Sequence, residues 1–166
     1  MKRMEITEKR IGENTFYLKP FPAFTAANIS GELAALITPM ISALAPLAGG
    51  KATAADIMSV EIEDAAPAIT NAFSSLSGDK VERLMKKLLI DNQNISVDNP
   101  ESGRTEVLSM DLANELFCGD VQDMFLLCFE VIKINFGGFF KKLGAQFGDL
   151  SGLTEKVTPS SESTEN

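Results

Sequence analysis

The chain contains no histidine and no tryptophan, a single tyrosine and two cysteines. Without histidine it cannot build a Ser-His-Asp triad or a Cys-His nucleophile pair, nor place an imidazole on a metal. Cys118 and Cys128 are too few for a disulfide scaffold or a four-thiolate zinc site. On one helix their spacing would hold them about 15 Å apart, whereas a disulfide spans α-carbons within about 7 Å. They read as small buried thiols in a reducing compartment.

Positive charge is also scarce. Fifteen Lys and Arg stand against 23 Asp and Glu, for a net charge of −8. A duplex-binding protein needs a basic face to displace counterions, and a polybasic anchor needs a cationic patch, so nucleic acid and anionic membrane are not expected partners. The opening MKRMEITEKR has no apolar run, so it does not read as a secretory signal. The longest uncharged stretch, Leu33–Gly50, sits at the lower length limit for a membrane span, and Thr38, Pro39, Ser42 and Pro46 interrupt it. The expected location is the cytoplasm.

Motifs for chemistry are missing too. Gly50-Lys51 is followed by Ala52 and position 45 is Ala, so there is no phosphate-cradling loop. Asp56, Glu61, Glu63 and Asp64 lack the alternation and turn glycine of a calcium loop and read as solvated surface. No catalytic, cofactor-binding or metal-ligating residue is expected, and the chain does not read as an enzyme.

What the 166 residues do offer is apolar material, 45% of the chain with eleven Phe. That is enough for one self-sufficient core. MEITEKRI and TFYLK, split by Gly12-Glu13-Asn14, predict a hairpin over residues 4–19. PFPAF then breaks the sheet. Ile29, Leu33, Leu36, Ile37, Met40, Ile41, Leu44 and Leu47 form one helical stripe, with Thr25 or Asn28 as N-cap and a kink expected at Pro39. Lys51–Glu63 reads mainly as loop. Asp64 and Pro67 start a helix that runs toward Gly78, and Asp79 starts another with the stripe Val81, Leu84, Met85, Leu88 and Leu89. NISVD and TEVLS around NPESGR predict a second hairpin. Asp111 caps a short helix. Asp120 opens a long one, apolar nearly all round and therefore central, which Gly137-Gly138 can end or bring close to a neighbour.

The fold class expected is α+β, mainly α-helical: a small N-terminal β-hairpin or sheet packed on a bundle of four to five helices. Residues 1–150 form one α-rich domain. Residues 151–166, dominated by Ser, Thr and Glu, form a flexible acidic tail.

Function then has to come from apolar surface. Two places stand out: the uncharged helix 29–47, with Leu33, Leu36, Ile37, Met40, Ile41 and Leu44, and the aromatic end of the last helix, with Phe136, Phe139 and Phe140. Such stripes serve either as core or as a groove for a partner helix anchored at i, i+3, i+4 and i+7. The seven Met, Met40, Met85 and Met124 among them, suit a surface that repacks around varied partners. The uncharged opposite face of the first helix favours a partner or a homo-oligomer interface.

These segments resemble a family of phage tail assembly chaperones. TFYLKPFPAFTAANISGELAALITPMISALAPLAGG is similar to the family's opening, SLSGDKVERLMKKLL to its amphipathic middle helix, and DLANELFCGDVQDMFLLCFEVIKINFGGFF to its close. Phe117, Gly119, Asn135, Phe136, Gly137, Phe139 and Phe140 carry the closing match. The resemblance implies a factor that coats the tape measure protein before the tail tube polymerises, acting in the cytoplasm of the bacterial host and absent from the mature virion. It also implies a frameshifted longer form that recruits the tail tube subunit. A type III-like secretion chaperone, which matches in bulk properties only, and a structural tail or virion subunit are the alternative readings.

Overall fold

The computed structural model describes the backbone of residues 4–44 and 61–154, and the side chains of 4–33, 61 and 63–138. Strand β1 (Thr7–Ile11) and strand β2 (Asn14–Leu18) form the N-terminal hairpin, pairing Thr7 with Leu18 and Ile11 with Asn14. Gly12 turns it with a φ of +59°, a conformation costly for other residues. The second hairpin, β3 (Ile95–Asn99) and β4 (Arg104–Val107), joins the first, because β2 pairs antiparallel with β3 through Phe16–Val97 and Leu18–Ile95. The two form one four-stranded antiparallel sheet in the order β1-β2-β3-β4.

Side chains alternate across that sheet as a half-buried sheet requires. Ile11, Phe16, Leu18, Ile95 and Val97 are buried. On the solvent face the Tyr17 hydroxyl donates to Asp98 Oδ2 at 3.0 Å and the Thr105 hydroxyl to Asp98 Oδ1 at 2.6 Å.

Five helices accompany the sheet among the described residues: α1 (Ala23–Leu44), α2 (Ile62–Ser74), α3 (Gly78–Leu89), α4 (Met110–Leu116) and α5 (Val121–Thr154). The architecture is α+β and mainly helical, as the sequence pattern predicts. Helix starts differ in detail. α1 begins straight after Pro22, whose carbonyl accepts from the Ala26 N–H at 3.0 Å, so Thr25 and Asn28 lie inside the helix and do not cap it. α2 begins at Ile62, with Glu63 and Asp64 in the first turn, where carboxylates suit the helix dipole, and with Pro67 inside. Only the bond that a residue 67 N–H would make to residue 63 is lost. α4 is capped by Ser109, whose hydroxyl accepts from the Leu112 N–H at 3.2 Å, in place of the expected Asp111.

α5 is the axis of the core. Leu127, Cys128, Phe129, Val131 and Ile132 are buried, as is the intervening Glu130, only 2% exposed. Burial of six consecutive residues requires neighbours on every side, and α2, α3, α1 and β1 supply them. Glu130 stays paired: Lys9 of β1 lies 3.1 Å from its carboxylate and Lys133 3.2 Å. A buried carboxylate without such partners would be strongly destabilising, so this triad also pins the edge strand to the central helix. α5 continues through Gly137-Gly138 to Thr154. A Cβ at either glycine would meet nothing within 4 Å, so they neither stop the helix nor admit a close neighbour.

α5 also passes residue 150, where the sequence pattern placed the start of the tail; residues 155–166 lie outside the described residues, as do 51–60 of the expected loop. The cysteines divide. Cys128 is buried, and burial pushes its thiol pKa far up, whereas Cys118 is exposed in the α4–α5 connection, contrary to the expectation that both are buried. The interruption at Gly119, with a φ of +85°, turns the chain at the surface and leaves Cys118 outside. No helix among the described residues is long and apolar enough to cross a membrane.

Candidate partner-binding groove

Three helices and a corner enclose an open apolar groove of about 480 Å³. The α2–α3 corner contributes Leu76 and Gly78, α3 contributes Val81, Met85 and Leu89, α4 contributes Met110 and Ala113, and α5 contributes Val121 and Met124. Its base is aromatic: Phe73 of α2 and Phe125 of α5 stack with centroids 4.8 Å apart and planes 2° from parallel. The local sequence explains the opening. α3 is amphipathic and spends Leu84 and Leu88 on the core, leaving Val81 partly exposed at the rim. α4 is only two turns long and turns away at Gly119, so it covers α5 incompletely. Val121 therefore stays 50% exposed and Met110 39%.

The volume is that of an ordinary ligand pocket, about 300–1,000 Å³. The lining is mainly apolar. Its charged members are Glu82 and Lys86, one helical turn apart and ion-paired to each other. No cluster of His, Cys, Asp or Glu able to hold a metal occurs among the described residues. Met85, Met110 and Met124 converge here, and flexible thioether side chains fit irregular apolar surfaces.

Further along α5 lies a second apolar meeting point, closed where the groove is open. The Phe21 N–H donates to Asn135 Oδ1 at 2.6 Å, and Asn135 Nδ2 donates to the Val131 carbonyl at 2.8 Å. The Phe21 and Phe136 rings pack at 6.4 Å, tilted by 55°. The Pro20-Phe21-Pro22 break is thus latched to the Asn135-Phe136 step of α5. Phe16 of β2 stacks on Phe117 at 5.9 Å. The two ends of the sequence pattern meet in space.

A family model described as phage tail assembly chaperone protein, TAC, matches residues 12–148. The chain belongs to that family. Searches of curated proteins and of solved structures each returned no match.

In this chaperone the residues singled out from sequence fall into two groups. Leu33 and Phe136 are buried in the core. Leu36, Ile37, Met40, Ile41 and Leu44 lie on α1, and Phe139 and Phe140 on α5, but their side chains fall outside the described residues. Of the Met expected to form an adaptable surface, Met85 and Met124 do line the groove. Met110 and Val121 were missed. Val121 falls on the same stripe as Phe125 and Cys128, four and seven residues on, so its spacing reads as core and does not mark it as a groove residue.

Proposed function

We propose that this chaperone binds apolar helical stripes of the tape measure protein in the groove between α2, α3, α4 and α5, and keeps that protein soluble in the host cytoplasm until the tail tube replaces it. The supporting observation is the open, Met-rich groove with no reactive group in it. A long helical rod with bare apolar stripes aggregates, and covering a stripe removes that area from water at about 25 cal/mol per Å². A coat of net charge −8 per subunit makes neighbouring coated segments repel. Nothing in the arrangement calls for catalysis or a cofactor, and release follows from competition by tube subunits. The longer frameshifted form, its link to the tube subunit and a homo-oligomer on the rod belong to the same reading.

Co-expression tests it. With the wild-type chaperone the tape measure protein is recovered soluble. Met110→Asp with Val121→Asp, both at exposed positions, returns it to the pellet. A parallel Leu36→Asp, Met40→Asp variant distinguishes the α1 stripe: if that variant alone loses the partner, the binding surface is α1 and not the groove.

A further inference from the structure

The two walls of the groove differ in charge. On the α3 wall Glu82 and Lys86 cancel, and the remaining cations turn elsewhere: Lys80 and Arg83 line a smaller cleft with Glu32, and Lys87 is ion-paired to Glu32. The α4–α5 wall has no counterpart. Between Arg104 and Lys133, residues 105–132 contain no Lys or Arg. Asp111, Glu115 and Asp120 are exposed there, each adjacent in sequence to a groove-lining residue, Met110, Asn114 and Val121. Asp111 and Glu115 are one helical turn apart, so their carboxylates share a stripe beside the Met110–Asn114 stripe. Asp123 is not part of this rim, because its carboxylate lies against the Gly12 turn of the hairpin.

The geometry points to an occupant of defined polarity: an amphipathic helix with aliphatic anchors on one face and Lys or Arg along the flank that meets α4 and α5. This rests on reading the groove as a helix-binding site and adds the chemistry of the partner. An unbalanced acidic rim beside an apolar trough selects partners by rejecting acidic flanks as much as by attracting basic ones. It also fixes the direction in which the helix lies, because only one flank can face the carboxylates.

The test uses the full chain and two synthetic amphipathic peptides with identical Leu anchors, one with Lys and one with Glu on a single flank. Fluorescence anisotropy is read in about 0.05 M and about 0.5 M salt, where screening lengths differ severalfold. The Lys peptide binds roughly tenfold tighter at low salt, and high salt shrinks the gap. Asp111→Asn with Glu115→Gln and Asp120→Asn erases the preference and keeps residual binding, while Val121→Glu weakens both peptides. Equal affinities, a preference for the Glu peptide, no binding of either, or binding indifferent to Val121→Glu each overturns the inference. So does a dimer that dissociates on Val121→Glu, since a second copy then fills the groove. Binding seen only when residues 45–60 are replaced by a Gly-Ser linker would assign the groove to that segment, and also overturns it. If the co-expression variants lose the tape measure protein while the peptides show no charge preference, the functional reading stands and only this inference falls.

Discussion

α5 carries two apolar sites about 17 Å apart along its axis, at Met124 and at Asn135-Phe136, and they solve opposite problems. At the latch, aromatic rings meet aromatic rings, and the polar groups that the Pro-Phe-Pro break exposes are bonded, Phe21 N–H to Asn135. At the groove, methionines face one another across a trough with no polar group of their own to satisfy. Phe is rigid and specifies one packing, whereas Met bends to several. The latch residues, which lie within the matched residues 12–148, therefore close the chain on itself. Asn135, Phe136 and Phe117 act here as fold residues.

The largest contrast to test is chemical. Cys128 is fully buried with its thiol pKa pushed far above the ordinary 9.0, and Cys118 is exposed. Only the thiolate reacts, so a disulfide reagent at neutral pH modifies one thiol in the native protein and two in denaturant. Rapid modification of both in the native state would mean that the α5 core opens easily. Next comes Phe136→Ala, which removes a buried ring from the latch and costs about 3–5 kcal/mol, read as a lower denaturant midpoint. A loss below about 1 kcal/mol would show that the latch is dispensable and the comparison misdrawn.

Gly12 turns the N-terminal hairpin against the start of α5. A Cβ there would stand 2.3 Å from Asp123 Oδ2, and the φ of +59° disfavours any other residue. Gly12→Ala costs about 1–2 kcal/mol. The double variant with Asp123→Ala should recover the part due to the clash and keep the part due to backbone strain, a split that a thermodynamic cycle measures. Full recovery would mean that the turn tolerates Ala at this φ.

Much of this was legible in the sequence. The alternation in TFYLK and NISVD predicts both hairpins and allows the second to join the first in one sheet, but the β2–β3 register across more than seventy residues leaves no local signal. Of the predicted stripe Val81, Leu84, Met85, Leu88 and Leu89, all but Val81 are buried, and Val81 lies at the groove rim. The start of α4 differs because Ser109 and Asp111 compete as caps and Ser109 takes the role, whereas α1 starts ahead of Thr25 and Asn28 because the Pro22 carbonyl closes its first turn. The groove was half-visible. Apolar stripes identify what leaves water, but whether it leaves into the protomer or into a partner depends on how completely a neighbouring helix covers it. Here that is decided by the shortness of α4 and the turn at Gly119, neither of which is a hydrophobic signal.

The smallest expected effect on stability separates the two sites most cleanly. Met110 is 39% exposed, so Met110→Ser forfeits only part of a buried side chain and should lower the unfolding free energy by about 1 kcal/mol, well below the loss at Phe136. If the groove exists to accommodate a partner, the same change should weaken that partner's capture severalfold, because a side chain idle in the free protein becomes buried in the complex and contributes there. Phe136→Ala behaves in the reverse way, lowering stability while any surviving folded fraction still binds. Calorimetric unfolding and peptide titration on both variants give four numbers whose pattern is decisive. If Met110→Ser destabilises as much as a core change and leaves binding untouched, the groove is merely a badly filled part of the core, and the distinction between a site that closes the chain and a site that opens it to others collapses.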